Sequence, residues 1–239
     1  MPDAKPLRIA LPDGTAVSGL ALVPGAAKAG LVLAHGAGAG MSHPFMAAVV
    51  ERLAERGVAT LRYQFPYIEK GTRHPDPPNV AQVTVHAAVA EAARQLPDIP
   101  LFAGGKSFGG RMTSEAQAGA ALARIIGLVF LGFPLHPAKR PSASRAQHLV
   151  DVRIPMLFLQ GTRDALAQPD LLAQVIAGLG DQATLKSFSE ADHSFHVPKR
   201  SGSTDALVLA EVCDTVSAWV ETVAGDRSPR RKEALHDRR

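Results

Sequence analysis

The sequence predicts an α/β domain: a doubly wound, mostly parallel sheet with an antiparallel N-terminal edge and a minimal cap. Three observations carry this. Short apolar runs recur along the chain, segments of helical period separate them, and a strong hairpin signal, Pro12-Asp13-Gly14, stands near the start. Strands separated by helices need crossover connections, which make neighbouring strands parallel and cover both faces of the sheet.

Residues 7–23 alternate imperfectly between apolar and polar around the Pro-Asp-Gly turn, which predicts an antiparallel hairpin. Gly30-Leu31-Val32-Leu33-Ala34-His35 reads as a strand buried on both faces. A Gly-rich loop follows, then a helical pattern over 44–56. Val58–Tyr63 is a strand, 80–96 an Ala-rich helix, 100–104 a strand and 109–122 a helix. Ile125–Leu131 and 156–160 are strands, 170–178 a helix, 184–188 a last strand and 204–223 the closing helix. Residues 133–150, rich in Pro, Ser and basic side chains, are the longest irregular insertion and too short for a large cap domain.

The 239 residues, 46% hydrophobic and 20% charged, suit one domain over 1–224 that buries a large core without disulfides. Cys213 is the one cysteine, so no intrachain disulfide forms, as suits a reducing compartment. It falls in the apolar stripe of 210–216, as a small buried hydrophobe does. No leader-like apolar run follows residues 1–6, and no stretch approaches the roughly 20 apolar residues that span a bilayer. A cytoplasmic protein with no membrane partner is expected. The net charge of +4 does not indicate a nucleic-acid partner. Between 225 and 239 six Lys/Arg face three acids, so three of the four charges belong to a basic tail that reads as solvated and disordered.

Gly105-Lys106-Ser107-Phe108-Gly109 matches G-x-S-x-G directly after an apolar strand and before a helix. The sharp turn there strains the serine backbone, admits only small neighbours and exposes Oγ at the top of the sheet. The helix N-terminus behind it favours developing negative charge. Gly-Lys-Ser also ends a phosphate-binding loop, but that motif requires glycine at position 100, where this chain has Pro100, and residues 101–103 are still strand.

Two further strand ends supply partners. Asp164 follows the strand 156–160, and His193 follows the strand 184–188. The chain order Ser, Asp, His is that of an acyl-transfer triad carried on loops at the carboxyl ends of parallel strands. Asp192 competes for the acid role, but a sequence neighbour rarely reaches its own histidine's Nδ1 in the needed geometry. His196 is the rival base. The loop His35-Gly36-Ala37-Gly38-Ala39-Gly40 follows an early strand and is expected to turn the Ala37 N–H toward an oxyanion, with the Phe108 N–H as second donor. His35 is expected to hold that loop.

With these residues the chain resembles the α/β-hydrolase superfamily over about residues 7–223. More narrowly, it is similar to a branch related to dienelactone hydrolases that includes a human testis-expressed protein and a subunit of the non-specific lethal chromatin complex. The resemblance rests on residues 35–38, 62–67, 104–111, 132–137 and 191–195. It implies the α/β-hydrolase fold. Dienelactone hydrolases themselves use a cysteine nucleophile where this chain has serine, so their reaction is not carried over. The chromatin-complex relative implies a second class of role, a non-catalytic protein-binding module on the same scaffold.

The expected function is that of a serine hydrolase, a carboxylesterase for small soluble esters. It works through Ser107, His193 and Asp164, with an oxyanion hole at Ala37 and Phe108 and no metal or other cofactor. Lys106 and Arg111 flank the nucleophile, and Arg73, His74 and His136 lie on loops that approach its mouth. These cations favour an anionic acyl group, or else Lys106 and Arg111 are solvated or structurally paired.

Overall fold

In the computed structural model, which describes residues 3–226, eight strands form one sheet in the order β1-β2-β4-β3-β5-β6-β7-β8. The strands are β1 (Lys5–Ala10), β2 (Ala16–Leu22), β3 (Ala29–Ala34), β4 (Val58–Tyr63), β5 (Leu101–Lys106), β6 (Ile125–Leu131), β7 (Met156–Gly161) and β8 (Ala183–Phe188). The helices are α1 (Pro44–Glu55), α2 (Pro66–Glu69), α3 (Pro78–Gln95), α4 (Phe108–Gly119), α5 (Pro169–Leu179) and α6 (Asp205–Asp226). The hairpin β1–β2 and the pair β2–β4 are antiparallel, and the pairs from β4 through β8 are parallel.

Strand alternation explains why the central runs are apolar throughout. Val32, Ala103, Phe130 and Phe158 point into one core, shared with α3, α4 and α5. Leu33, Phe102, Val129 and Leu157 point into the other, shared with α1 and α6. Each face buries a full set of side chains, and each large one contributes about 1.5–3 kcal/mol. Cys213 belongs to the second core, fully buried against α1, and its thiol pKa is pushed up to about 12 by desolvation. It is a packing residue.

The element boundaries shift in instructive ways. Helix α3 begins two residues earlier than its periodicity suggests, because Pro78 occupies the first helical turn, where its fixed φ suits the helix and no N–H is missed. Proline opens α1, α2 and α5 in the same manner. The short α2 had no periodic signal of its own and takes up the chain just beyond β4. The insertion after β6 is not wholly irregular: Ser144–Asp151 winds into a 3-10 helix that buries Ala146 and Leu149. Among the described residues no lid covers the sheet. The closing helix runs on to Asp226, beyond its expected end at 223, and the rest of the expected basic tail lies outside the described residues. Among the described residues no helix is long and apolar enough to cross a membrane.

The parallel strands β3 to β8 all point their carboxyl ends to one edge. The loops after β3, β5, β6, β7 and β8 therefore meet there.

Candidate active site

The turn between β5 and α4 puts Ser107 in a sparsely populated backbone conformation, φ 51° and ψ −117°. Such a conformation costs about 1–3 kcal/mol and persists only where its surroundings enforce it. Here the Ser107 N–H donates to the Leu131 carbonyl at 3.2 Å, and the Ser107 carbonyl accepts the Arg111 N–H at 3.1 Å. The turn closes so tightly that a side-chain carbon at Gly105 would lie 2.5 Å from the Ala34 carbonyl oxygen, and one at Gly109 2.5 Å from that of His35. The need for small neighbours is thus met by backbone packed against backbone.

Ser107 Oγ lies 2.8 Å from His193 Nε2, and His193 Nδ1 lies 2.6 Å from Asp164 Oδ2. The structure thus brings together the three side chains expected from three strand ends. The Asp164 side chain is wholly buried, and that of His193 is about one quarter exposed. A buried carboxylate needs donors, and Asp164 has three: His193, Gln160 Nε2 on Oδ2, and the Leu166 N–H on Oδ1 at 2.8 Å. Gln160 is anchored in turn by accepting the Phe133 N–H at 2.9 Å. Sequence reasoning missed Gln160, whose only signal was a polar residue at the end of an otherwise apolar strand.

The rivals are engaged elsewhere. Asp192 Oδ1 accepts the N–H groups of Ser194 and His196 at 2.7 and 3.0 Å, stapling the loop that carries His193. His196 points outward and pairs with Asp205 at 2.8 Å, with both side chains more than half exposed.

The loop after β3 is held from the segment 62–67. Phe65 N–H donates to His35 Nε2 at 3.2 Å, Gly38 N–H to the Tyr67 hydroxyl at 2.9 Å, and Met41 N–H to Gln64 Oε1 at 2.9 Å. Buried Arg62 donates to the Met41 carbonyl at 2.9 Å. These four side chains fix the loop. Only His35 among them had been expected to hold it. The Ala37 N–H has no acceptor among the described residues, and the Phe108 N–H opens α4, where the first donors lack intrahelical acceptors. Ala37 and Phe108 both line space beside Ser107.

His35 is fully buried, with Nδ1 donating to the Gly36 carbonyl at 2.7 Å while Nε2 accepts, so it must be neutral. Desolvation pulls its pKa down to about 4. The unfolded chain binds this proton near pH 6.5 and the folded chain does not, so its stability contribution is complete above pH 6.5 and is lost as pH falls toward 4. The loss amounts to roughly 3 kcal/mol. Urea unfolding midpoints between pH 7 and 4.5 should therefore fall more steeply for the native chain than for His35→Gln. An equal fall in both would refute the assignment. His86 and His148, also lowered by burial, remain in both proteins and cancel in the comparison.

Lys106, partly exposed, is structurally paired and makes no salt bridge among the described residues. Its Nζ donates to the His193 carbonyl at 2.6 Å, and desolvation draws its pKa down to about 8 against the opposing pull of Asp164 and Asp192. Arg111 is paired with Glu115 at 2.6 Å. His136 does not approach the mouth: it is buried, with its ring bonded to the Pro137 carbonyl and the Gln168 N–H. Of the segment that carries Arg73 and His74, it is Pro75 and Asp76 that reach the site.

Two cavities adjoin Ser107. One of about 380 Å³ includes Phe45, Met46, Lys106 and His193, and the other of about 400 Å³ includes Phe108, Arg111 and Arg145. A larger cavity of about 590 Å³, between the β1–β2 turn and the helices α2 and α3, is lined by no serine or histidine. Among the described residues no group of three or more His, Cys, Asp or Glu is placed to hold a metal ion. The chemistry the site offers is that of a part-buried hydroxyl, lining a cavity, beside an imidazole whose far nitrogen meets a buried carboxylate.

This sheet order, lidless edge and strand-to-helix turn define the α/β-hydrolase fold. The family model described as alpha/beta hydrolase domain matches residues 27–221, and the chain belongs to that family. Solved structures share its architecture. A lidless α/β serine hydrolase from Xanthomonas campestris is 20% identical, with a TM-score of 0.71 over 92% of this chain and 96% of its own. A dienelactone hydrolase from Anabaena variabilis is 19% identical, with a TM-score of 0.74 over 92% and 98%. Est1E from Butyrivibrio proteoclasticus, solved with ferulic acid bound, is 16% identical, with a TM-score of 0.70 over 90% and 99%.

Proposed function

We propose that the protein is a serine-dependent hydrolase of small, soluble carboxylic esters, acting in the cytoplasm without metal or other cofactor. The observation that carries this reading is the continuous hydrogen-bonded chain from Ser107 through His193 to buried Asp164, opening onto a cavity. Kinship with the branch related to dienelactone hydrolases, inferred from the motifs around Ser107 and His193, is part of the same reading.

In this mechanism Ser107 Oγ attacks the ester carbonyl as its proton passes to His193 Nε2. Asp164 keeps the other imidazole proton on Nδ1 and stabilises the imidazolium that forms. The N–H groups of Ala37 and Phe108 receive the developing oxyanion, where preorganised donors act most strongly. Collapse breaks the ester C–O bond, the alcohol leaves with the proton from Nε2, and Ser107 carries the acyl group. Water then attacks the acyl-enzyme by the same route, releasing the acid and restoring the serine.

Steady-state turnover of aryl and alkyl acetates tests this. Ser107→Ala should lose activity on the order of 10⁵- to 10⁶-fold, the scale seen when a triad nucleophile is removed. A Ser107→Ala protein with full esterase activity would contradict the reading. So would a folded native chain inert toward ester, thioester and amide panels, which points instead to a binding module.

A further inference from the structure

Ser107 lies on the rim shared by two cavities of different character. The one toward α1 sets Ala39, Phe45, Met46 and Leu166 beside His43, His193, Ser194 and Lys106, whose ammonium is held by the His193 carbonyl. The other, toward the excursion after β6, presents two guanidinium groups, Arg111 and Arg145.

The charges on this second side do not all cancel in place. Arg111 is committed to Glu115 at 2.6 Å. Asp76 Oδ2 accepts the Tyr67 N–H at 2.9 Å, at the start of α2. Arg145 stands on the 3-10 helix Ser144–Asp151, half-buried, and its side chain makes no hydrogen bond or ion pair among the described residues. Burial and the neighbouring Arg111 both disfavour its charge, with Glu115 opposing. A guanidinium held partly out of water beside another cation, with its donors unused, gains most from an arriving anion. A planar carboxylate matches its paired N–H groups in both geometry and charge.

We propose that Arg145 is the anion-binding residue of this active site, and that the substrate is an ester with a carboxylate on one arm and a small apolar group on the other. The carboxylate sits against Arg145 on the Arg111 side, and the apolar arm enters the cavity toward α1. Asp76, which lines the same cavity, repels an anion placed near α2 and so restricts the charge to the Arg145 end. The proposal rests on the serine-hydrolase reading above, and it adds the substrate's charge and its orientation.

Matched esters decide it. 4-Acetoxybenzoate and 4-acetoxybenzamide place the charge, or its neutral equivalent, on the leaving arm. Monophenyl adipate and its terminal amide place it on the acyl arm. For the native chain, kcat/KM should favour the anion about tenfold on one arm, which identifies the arm that faces Arg145. Arg145→Gln should bring that ratio close to one, and Arg145→Lys should keep part of it. Arg140→Gln, an exposed arginine of the same excursion, should leave the ratio as it is. A native ratio near one on both arms overturns the proposal, as does a preference that survives in Arg145→Gln. If no ester of either charge is turned over, the hydrolase reading fails, and the anion site is then judged by binding. In titrations followed by NMR, 4-hydroxybenzoate should bind more tightly than 4-hydroxybenzamide to the native chain and lose that advantage in Arg145→Gln. Equal binding of the two overturns it.

Discussion

His193→Ala is expected to lower kcat toward an activated ester on the order of 10⁵- to 10⁶-fold, whereas His196→Ala should stay within about twofold of the native chain. The contrast follows from geometry. His193 joins the Ser107 hydroxyl to a buried carboxylate, so its loss leaves a serine with no group to take its proton. His196 lies three residues further along, yet its ring faces solvent and Asp205. Thermal melts should show both variants folded, because neither side chain belongs to the hydrophobic core. A comparable loss in both variants, or the larger loss in His196→Ala, would move the base to another residue.

Asp164→Asn should cost about 10⁴-fold in kcat with little change in KM. Asp164 Oδ1 accepts the Leu166 N–H, so the asparagine carbonyl keeps that place and its NH2 takes the position of Oδ2. There it meets two donors, Gln160 Nε2 and His193 Nδ1–H. The imidazole can relieve the clash only by moving its proton to Nε2, the nitrogen that must accept from Ser107. The defect is therefore one of tautomer, not of binding. Double replacement, Gln160→Glu with Asp164→Asn, puts a carboxylate beside the amide without restoring an acceptor at Nδ1, and should not recover the rate. An Asp164→Asn enzyme near native activity, with Asp192→Asn strongly impaired, would reverse the assignment of the acid.

Much of this was legible in the chain, for reasons that differ by element. The strands β3, β5, β6 and β7 were visible because burial on both faces requires an unbroken apolar run, as in Ile125–Leu131. Ser107 was visible because its strained turn demands glycines at fixed offsets. Asp164 and His193 were visible because each follows the end of a strand. What escaped notice has contacts distant in sequence. Gln160, Gln64, Arg62 and Tyr67 act through bonds to backbone groups at Phe133, Met41 and Gly38, and nothing local marks such a bond. The lysine inside the elbow was legible only as far as two alternatives, an anion-facing cation or a structurally paired one, because the partner that pairs it is a carbonyl 87 residues away. Arg145 gave no signal either. It occupies a stretch that reads as irregular, and the fold alone brings it to the rim of the Ser107 cavity.

The most direct measurement of the central claim is covalent labelling by a fluorophosphonate, which reacts with serine hydroxyls activated by a neighbouring base. With the native chain, one phosphonyl group should be incorporated per molecule, and peptide mass spectrometry should place it on Ser107. Ser107→Ala should take up none, and His193→Ala should react far more slowly. Stoichiometric labelling at another residue, or an unreactive native chain that is folded and monodisperse, would contradict the account.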